Sequence, residues 1–322
     1  MQAILAVTIP FFALVLAGYL AAWRRVLPEA AIPGLNAFVL YFALPCMLFR
    51  FGMNTPVLQL LNPVVLGVYL VSALLIVFFT VSMTLSAQVH LKDAAFGALV
   101  AAFPNTGFMG VPLLVALLGP AAAGPVICTV LADLFVTSSL CIALAQLHGL
   151  SGHDMGAAGT KALRGALSNP LPWAIALGAL SSLTGLRPFG PLDVIIKMLA
   201  DSATPVALFT IGAVLWRAGQ HAHTRTPPSR YVPVALIKLF VHPLLVGLLG
   251  AAAHALGAPL SSFELMVLTL AAALPSASNV SLLAERYGAD NGRIARIILA
   301  STSLAFVSFS ALAWAFGAGA AH

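Results

Sequence analysis

Long apolar stretches with few charged residues alternate with short polar segments along the whole chain. About 20 apolar residues in a helix are enough to cross the hydrocarbon core of a bilayer. Ten such stretches are predicted to span a membrane, at approximately 2–22, 31–49, 62–86, 94–118, 121–147, 167–185, 192–216, 231–253, 264–287 and 294–317. We therefore predict an all-α polytopic membrane protein in which residues 1–322 form one membrane domain, since the connections are too short for a soluble one.

The composition leads to the same conclusion. Hydrophobic residues make up 61% of the chain and charged residues 7%. So few charges cannot cover a soluble globule of this size. The net charge of +6 is explained better by membrane topology than by nucleic-acid binding, for which the sequence carries no motif.

Basic residues gather on one side of the predicted topology. Eleven of the fifteen Lys and Arg residues lie in or beside the odd-numbered connections: Arg24, Arg25, Lys92, Lys161, Arg164, Arg217, Arg225, Arg230, Arg286, Arg293 and Arg296. The opposite side holds only Arg50 and Arg187. Because cytoplasmic loops are enriched in Lys and Arg, both termini are predicted to be external.

Two sequence pairs indicate an internal repeat. Residues 43–49 match residues 203–209 at four of seven positions with an offset of 160, and residues 99–104 match residues 270–275 at four positions. Each half contains five spans, so the two halves enter the membrane from opposite sides. We predict an inverted repeat of about 1–147 and 165–322, with spans one, two, six and seven as a scaffold and spans three to five and eight to ten as a core.

Spans four and nine contain residues that interrupt a helix. Pro104 has no N–H for the carbonyl of Val100, and Gly107 follows within one turn. Pro275 holds the corresponding place in span nine. Freed backbone groups are tolerated inside a bilayer only where they are buried in protein or line a wet cavity. We therefore expect both spans to be broken and to cross at mid-membrane beside a binding site.

Polar side chains lie beside both prolines and are predicted to bind substrate. They are Asn105, Thr106, Ser276, Ser278 and Asn279. Two helices that restart at one point present N–H groups and partial positive charge, which favours an anion such as a carboxylate. Asn36 and Tyr41 of span two are placed to contribute. The alternative is that the prolines only kink packed helices, with Asn and Ser joining neighbouring helices.

Ionisable residues within spans are candidates for ion coupling. Asp133, halfway along span five, either carries a proton, pairs with a cation or packs as a neutral carboxyl. Lys197 and Asp201 are four residues apart and predict an ion pair. Lys238 and His242 repeat that spacing on span eight. Lys238 is close enough to the membrane surface to snorkel, and His242 is either a proton relay or a core histidine.

No metal or cofactor site is predicted. Cys46, Cys128 and Cys141 fall within spans and lack the spacing of metal ligands. His221 and His223 are interpreted as solvated residues of a basic loop.

Four segments carry a resemblance to a known family: PNTGFMGVP at 104–112, PSASNV at 275–280, LAERYG at 283–288 and LNAFVLY at 35–41. Through them the chain resembles the auxin efflux carrier family over nearly its full length. The resemblance implies a fold like that of bile acid/sodium symporters, a mobile crossover domain, and elevator-type alternating access. It also implies an organic acid substrate, which is auxin in plants and malonate or malate for several bacterial members, bound beside Asn105 and residues 276–279.

Two departures point to the bacterial branch of that family. Phe103 stands where plant auxin transporters have Asn, and the long cytosolic loop of many plant members is absent. We therefore expect a secondary carrier of a small mono- or dicarboxylate in a bacterial inner membrane, with both termini periplasmic and with proton coupling through Asp133. The alternatives are a sodium-coupled carrier of a bulkier amphipathic or aromatic acid, an anion channel, or a membrane sensor. An enzyme is not expected, because no catalytic constellation is present. The expected partners are the substrate and the lipid bilayer, and a homodimer is left open.

Overall fold

The computed structural model describes residues 2–56, 60, 62–147, 167–220 and 226–318. Five residues singled out above lie outside these ranges: Lys161, Arg164, His221, His223 and Arg225. Apart from two isolated bridges, the described part of the chain consists of helices and the turns between them. The all-α prediction is confirmed.

We label the helices α1–α12 in chain order. They are α1 Gln2–Trp23, α2 Glu29–Asn54, α3 Pro63–Thr84, α4 Leu91–Ala102, α5 Thr106–Leu118, α6 Pro120–Leu147, α7 Pro170–Thr184, α8 Gly190–Gln220, α9 Val232–Ala255, α10 Ser262–Ala272, α11 Val280–Arg286 and α12 Asn291–Ala315. Within the described ranges, seven of them are long and apolar enough to cross a membrane: α1, α2, α3, α6, α8, α9 and α12. Helices α5, α7 and α10 are shorter but also apolar. The chain is thus a multi-pass membrane protein.

The buried core lies in the helices around α4 and α6. In α6, 67% of the most apolar window is buried, against 22% in α1. Residues 94–102 of α4 are all buried. A helix enclosed on every face must be apolar all round, which explains why α4 carries Ala, Gly, Leu and Val rather than an amphipathic pattern. Helix α1, in contrast, lies at the outside of the described structure, with most of its apolar window not buried.

Helices α1 and α8 approach each other through two glycines. A Cβ placed on Gly18 would lie 1.8 Å from the carbonyl oxygen of Phe209, and one placed on Gly212 would lie 1.8 Å from the carbonyl oxygen of Val15. No side chain fits in either gap. Small residues at such contacts let helix backbones pack closely in a membrane, where no hydrophobic effect drives helices together.

Helices α2 and α7 pack in the same way. A Cβ on Gly178 would lie 2.4 Å from the carbonyl oxygen of Phe49, and one on Gly52 would lie 3.0 Å from that of Ile175. Each residue of this contact corresponds to a residue of the α1–α8 contact at an offset of 160. The corresponding pairs are Val15 and Ile175, Gly18 and Gly178, Phe49 and Phe209, and Gly52 and Gly212. It is the offset that relates residues 43–49 to residues 203–209.

Arg293 ties the start of α12 to the starts of two other helices. Its side chain is 2% exposed. The Nε atom donates to the carbonyl oxygen of Arg230 at 2.9 Å, and a guanidinium nitrogen donates to the carbonyl oxygen of Asp93 at the same distance. Gly97 leaves room for the guanidinium, since a Cβ there would lie 2.9 Å from it. These bonds fix one end of the core.

Candidate functional site

The segments after α4 and after α10 meet each other. Helix α4 ends at Ala102 and α5 begins at Thr106, while α10 ends at Ala272 and α11 begins at Val280. The N–H of Asn105 donates to the carbonyl oxygen of Pro275 at 2.8 Å, and the N–H of Ala277 donates to that of Phe103 at 3.0 Å. We call these paired segments, residues 103–105 and 273–279, the crossing. In the crossing, each segment donates a backbone hydrogen bond to a carbonyl of the other segment, at the point where its own helical bonding is interrupted.

Proline chemistry explains the remaining bonds of the first segment. Because Pro104 has no N–H, the carbonyl oxygen of Val100 loses its helical donor. The Oγ of Ser276 takes that place and donates to this carbonyl at 2.7 Å. Ser276 is 1% exposed, so an unpaired carbonyl here would be costly. The hydroxyl of Ser276, predicted as a substrate ligand, is therefore used in a structural hydrogen bond to Val100.

The end of α10 is satisfied by a charged group instead. The N–H of Ser276 donates to the Oγ of Ser301 at 3.2 Å rather than to its own helix. The carbonyl oxygen of Ala272 accepts from Nζ of Lys238 on α9 at 2.5 Å. Lys238 has no exposed surface. Its side chain thus lies in the interior of the core, and the prediction that it snorkels to the membrane surface is wrong.

Lys238 belongs to a buried polar cluster. Its Nζ is 3.2 Å from Nδ1 of His242, and it interacts electrostatically with Asp133 on α6. The carboxylate of Asp133 accepts from the hydroxyl of Tyr69 at 2.7 Å and from that of Thr137 at 3.1 Å. We call these five residues the Asp133–Lys238 cluster. All five are fully buried.

Predicted functional positions lie in four wide, π-helical turns of the described structure. These turns are Val39–Ala43 in α2, Thr106–Gly110 at the start of α5, Asp133–Thr137 in α6 and Ile237–Val241 in α9. Three of them end two residues before a proline, Pro45, Pro112 and Pro243, whose missing N–H forces the local helix to shift its bonding. Wide turns inside helices are frequent at functional sites.

An open cleft of about 290 Å³ adjoins the crossing. Its polar lining comes from α2, α6, the segment before α7, and α11: Asn36, Tyr41, Ser138, Ser139, Ser168, Asn169, Asn279 and Arg286. Apolar residues complete the wall, among them Phe103 and Phe108. A smaller cavity lined by Asn105, Gly107 and Asn279 shares Phe103, Phe108 and Asn279 with the cleft and reaches the crossing. Because they share these lining residues, we call the two together the recess.

The recess brings together some of the predicted ligands and not others. Asn105 and Asn279 line it, and Asn36 and Tyr41 face them from α2. Ser278 within the crossing and Thr106 next to it are buried, and neither is among the described residues that line the recess. The backbone N–H groups of Asn105, Ser276 and Ala277 already have acceptors within the protein. These three N–H groups are therefore not free to bind an anion.

Arg286 is a lining residue that sequence analysis assigned only to membrane topology. Among the described residues that line the cleft, it is the cationic one. Asn279, Leu283, Arg286 and Tyr287 follow one another at helical spacing on the cleft face of α11. That spacing, counted from the predicted break, was the signal in the sequence that could have found Arg286.

The remaining predicted pair lies on the outer surface. Nζ of Lys197 and a carboxylate oxygen of Asp201 are 2.7 Å apart, and both side chains are more than half exposed. Neither residue lines the recess in the described structure. Among the described residues, moreover, no group of three or more His, Cys, Asp or Glu could hold a metal ion.

The apolar helices define a multi-pass membrane protein. A family model described as membrane transport protein matches residues 3–151 and 154–313, and the chain belongs to this family. The resemblance to the bacterial branch of the auxin efflux carriers is thereby confirmed.

Several relatives are similar to this chain over most of their length. A protein of Rhizobium meliloti named "Putative malonate transporter" is 27% identical over 99% of this chain and 98% of its own. "Uncharacterized transporter YfdV" of Escherichia coli is 26% identical over 93% of each chain. An "Uncharacterized transporter" of Methanothermobacter thermautotrophicus is 26% identical over 92% of each. These names are those of transporters rather than enzymes.

Proposed function

We propose that this protein is a secondary carrier that moves a small organic anion, a mono- or dicarboxylate such as malonate or malate, across the bacterial inner membrane. The observation that carries the proposal is the recess, which joins the amides of Asn105 and Asn279 at the crossing to the guanidinium of Arg286. A guanidinium binds a carboxylate through two parallel hydrogen bonds, and amide N–H groups bind a second carboxylate without adding a buried charge.

The size of the cleft supports a small substrate. Its volume of about 290 Å³ is at the lower end of the range for small-molecule sites, roughly 300–1,000 Å³. A dicarboxylate of three or four carbons fits such a space better than a bulky aromatic or amphipathic acid does. The name of the Rhizobium meliloti relative points to the same class of substrate.

We further propose a ten-span inverted repeat in which α4 with α5, and α10 with α11, are the two interrupted spans. The single offset of 160 supports this arrangement, because it relates the α1–α8 contact to the α2–α7 contact residue by residue. In this proposal α1, α2, α7 and α8 form the scaffold. The cleft lies between α2 and α7 on one side and α5, α6 and α11 on the other, where an elevator-type movement would carry the substrate.

The direction in which the cleft opens follows from the predicted topology. With both termini periplasmic, Arg286 and the segment before α7 lie at the cytoplasmic ends of their spans. The described conformation is then open to the cytoplasm. Proton coupling through Asp133 is part of the proposal, since a buried carboxylate in one cluster with Lys238, which bonds the end of α10, can change charge as the core moves.

Uptake into proteoliposomes tests the function. Purified protein is reconstituted and supplied with labelled malonate, malate or an aromatic acid, with and without a pH gradient. We expect malonate or malate to accumulate when the gradient is imposed and the aromatic acid to be excluded. Folded protein that carries none of these carboxylates would contradict the proposal, and single-channel conductance would show an anion channel instead.

A further inference from the structure

The carbonyl end of α10 is a natural cation site. The last carbonyls of a helix lack partners and carry partial negative charge, and interrupted helices of transporters coordinate cations with such ends. Here the N–H of Ser276, which in a continuous helix would bond the carbonyl of Ala272, is given to Ser301. The carbonyl oxygen of Ala272 is therefore left for a group from outside its own helix.

That group is the ammonium of Lys238. It reaches Ala272 from α9 with a hydrogen bond of 2.5 Å. In the other interrupted span, the carbonyl of Val100, which Pro104 deprives of its helical donor, accepts from an uncharged hydroxyl. Of these two carbonyls, only that of Ala272 has a cation among its described contacts.

Titratable groups surround this ammonium from three helices. Asp133 faces it from α6, with Cys141 of the same helix near Asp133, Tyr69 lies on α3 and bonds Asp133, and His242 lies on its own helix. Asp133 supplies the opposite charge. Its carboxylate is oriented by two hydroxyl donors, those of Tyr69 and Thr137.

We propose that Lys238 is a built-in cation of the transport core, which occupies the carbonyl site at the end of α10 and balances Asp133 in place of a dissolved sodium ion. Binding and transport then need no sodium. Removal of the ammonium leaves an empty site made of the Ala272 carbonyl and the Asp133 carboxylate. A small cation from the medium can fill that site, because hard cations prefer such oxygen ligands.

Thermal unfolding of the purified protein tests this inference without any assumption about the substrate. Melting temperatures are measured in sodium chloride and in choline chloride at equal ionic strength for the wild type, Lys238→Ala and Lys197→Ala. The control removes the exposed lysine that pairs with Asp201. We expect the wild type and the control to melt equally in both salts. Lys238→Ala should melt lower in choline and recover with sodium in a saturable manner.

The double variant Lys238→Ala/Asp133→Asn separates a charge site from a packing role. Without the carboxylate, the sodium-dependent rise in melting temperature should disappear. If Lys238 had only a packing role, each of the two variants would melt at the same lowered temperature in sodium and in choline. If Lys238→Ala does not fold, Lys238→Gln is measured in its place. Specific stabilisation of the wild type by sodium, or a lysine variant that melts equally in both salts, would overturn the inference.

Uptake of labelled malonate gives the second readout, and only this arm rests on the proposed function. Wild-type uptake should be equal in sodium and choline, while Lys238→Ala in choline should lose about tenfold or more and regain part of it in sodium. A wild type that requires sodium for uptake would contradict the inference. If no protein carries malonate, the proposed substrate fails while the melting data still decide the role of Lys238.

Discussion

The glycine contacts of α1, α2, α7 and α8 differ in kind from the crossing. The first region is made of backbone against backbone, and its two contacts are related by one offset of 160. Beside the crossing, side chains complete the bonding of carbonyls at the helix ends: Ser276 donates to Val100, and Lys238 donates to Ala272. We propose that the first region serves as a frame and that the second lies beside the groups that bind and couple.

The largest effect is expected from filling a glycine contact. Gly18→Leu places a side chain where a Cβ would already lie 1.8 Å from the backbone of Phe209. Because backbone atoms cannot move aside as a side chain can, the loss in free energy of unfolding should reach or exceed the upper part of the ~1–3 kcal/mol typical of overpacking. The melting temperature in detergent measures it.

Gly67→Leu is the matched control. A Cβ at Gly67 on α3 meets nothing within 4 Å. If both variants melted at the wild-type temperature, the glycine contacts would not be the frame of the molecule.

The next effect concerns transport without loss of stability. Arg286→Gln removes the charge of the cleft and should lower malonate uptake about 10- to 100-fold, the equivalent of one hydrogen bond between charged groups. Arg24→Gln, in which an arginine stacked on Trp23 is removed, should transport normally. Initial rates over a range of malonate concentrations measure both. Normal uptake by Arg286→Gln would remove Arg286 from the site.

Loss of the hydroxyl at the crossing should have a smaller effect, on stability. Ser276→Ala leaves the carbonyl of Val100 without its donor, at a cost of about 1–3 kcal/mol. Ser72→Ala is the control, because the hydroxyl of Ser72 donates to Val68 within an uninterrupted stretch of α3. Thermal unfolding should separate the two variants, and equal melting temperatures would mean that the Ser276 bond contributes nothing.

The smallest of these effects is expected for an amide of the recess. Asn105→Ala should weaken malonate affinity by up to about tenfold and leave expression intact, since the loss is one neutral hydrogen bond to the substrate. Asn54→Ala, remote in the fold and bonded to Arg50 and Arg187, serves as the control. Wild-type affinity in Asn105→Ala would exclude the amide from the site.

The sequence alone predicted the features that depend on local chemistry. The helix ends beside Pro104 and Pro275 follow from a missing N–H, and the all-α membrane class follows from uncharged stretches of sufficient length. What replaces each lost hydrogen bond depends on a neighbour far away in the chain. Lys238 was misjudged for that reason: its distance from the end of its helix says nothing about Ala272, which lies 34 residues further on.

The role of Arg286 was missed for a related reason. A basic residue at the end of a span satisfies the topology rule, and that explanation left no cause to look for a second one. The glycine contacts were also missed. Gly18 and Gly178 have no local conformational signal in their helices, and they stand out only when the offset of 160 is extended beyond residues 43–49.

A structure determined at saturating malonate tests the central claim most directly. The account predicts density for the dicarboxylate in the recess, with one carboxylate against the guanidinium of Arg286 and the other near the amides of Asn105 and Asn279. Malonate bound elsewhere, or a recess that stays empty in protein that demonstrably carries malonate, would contradict it.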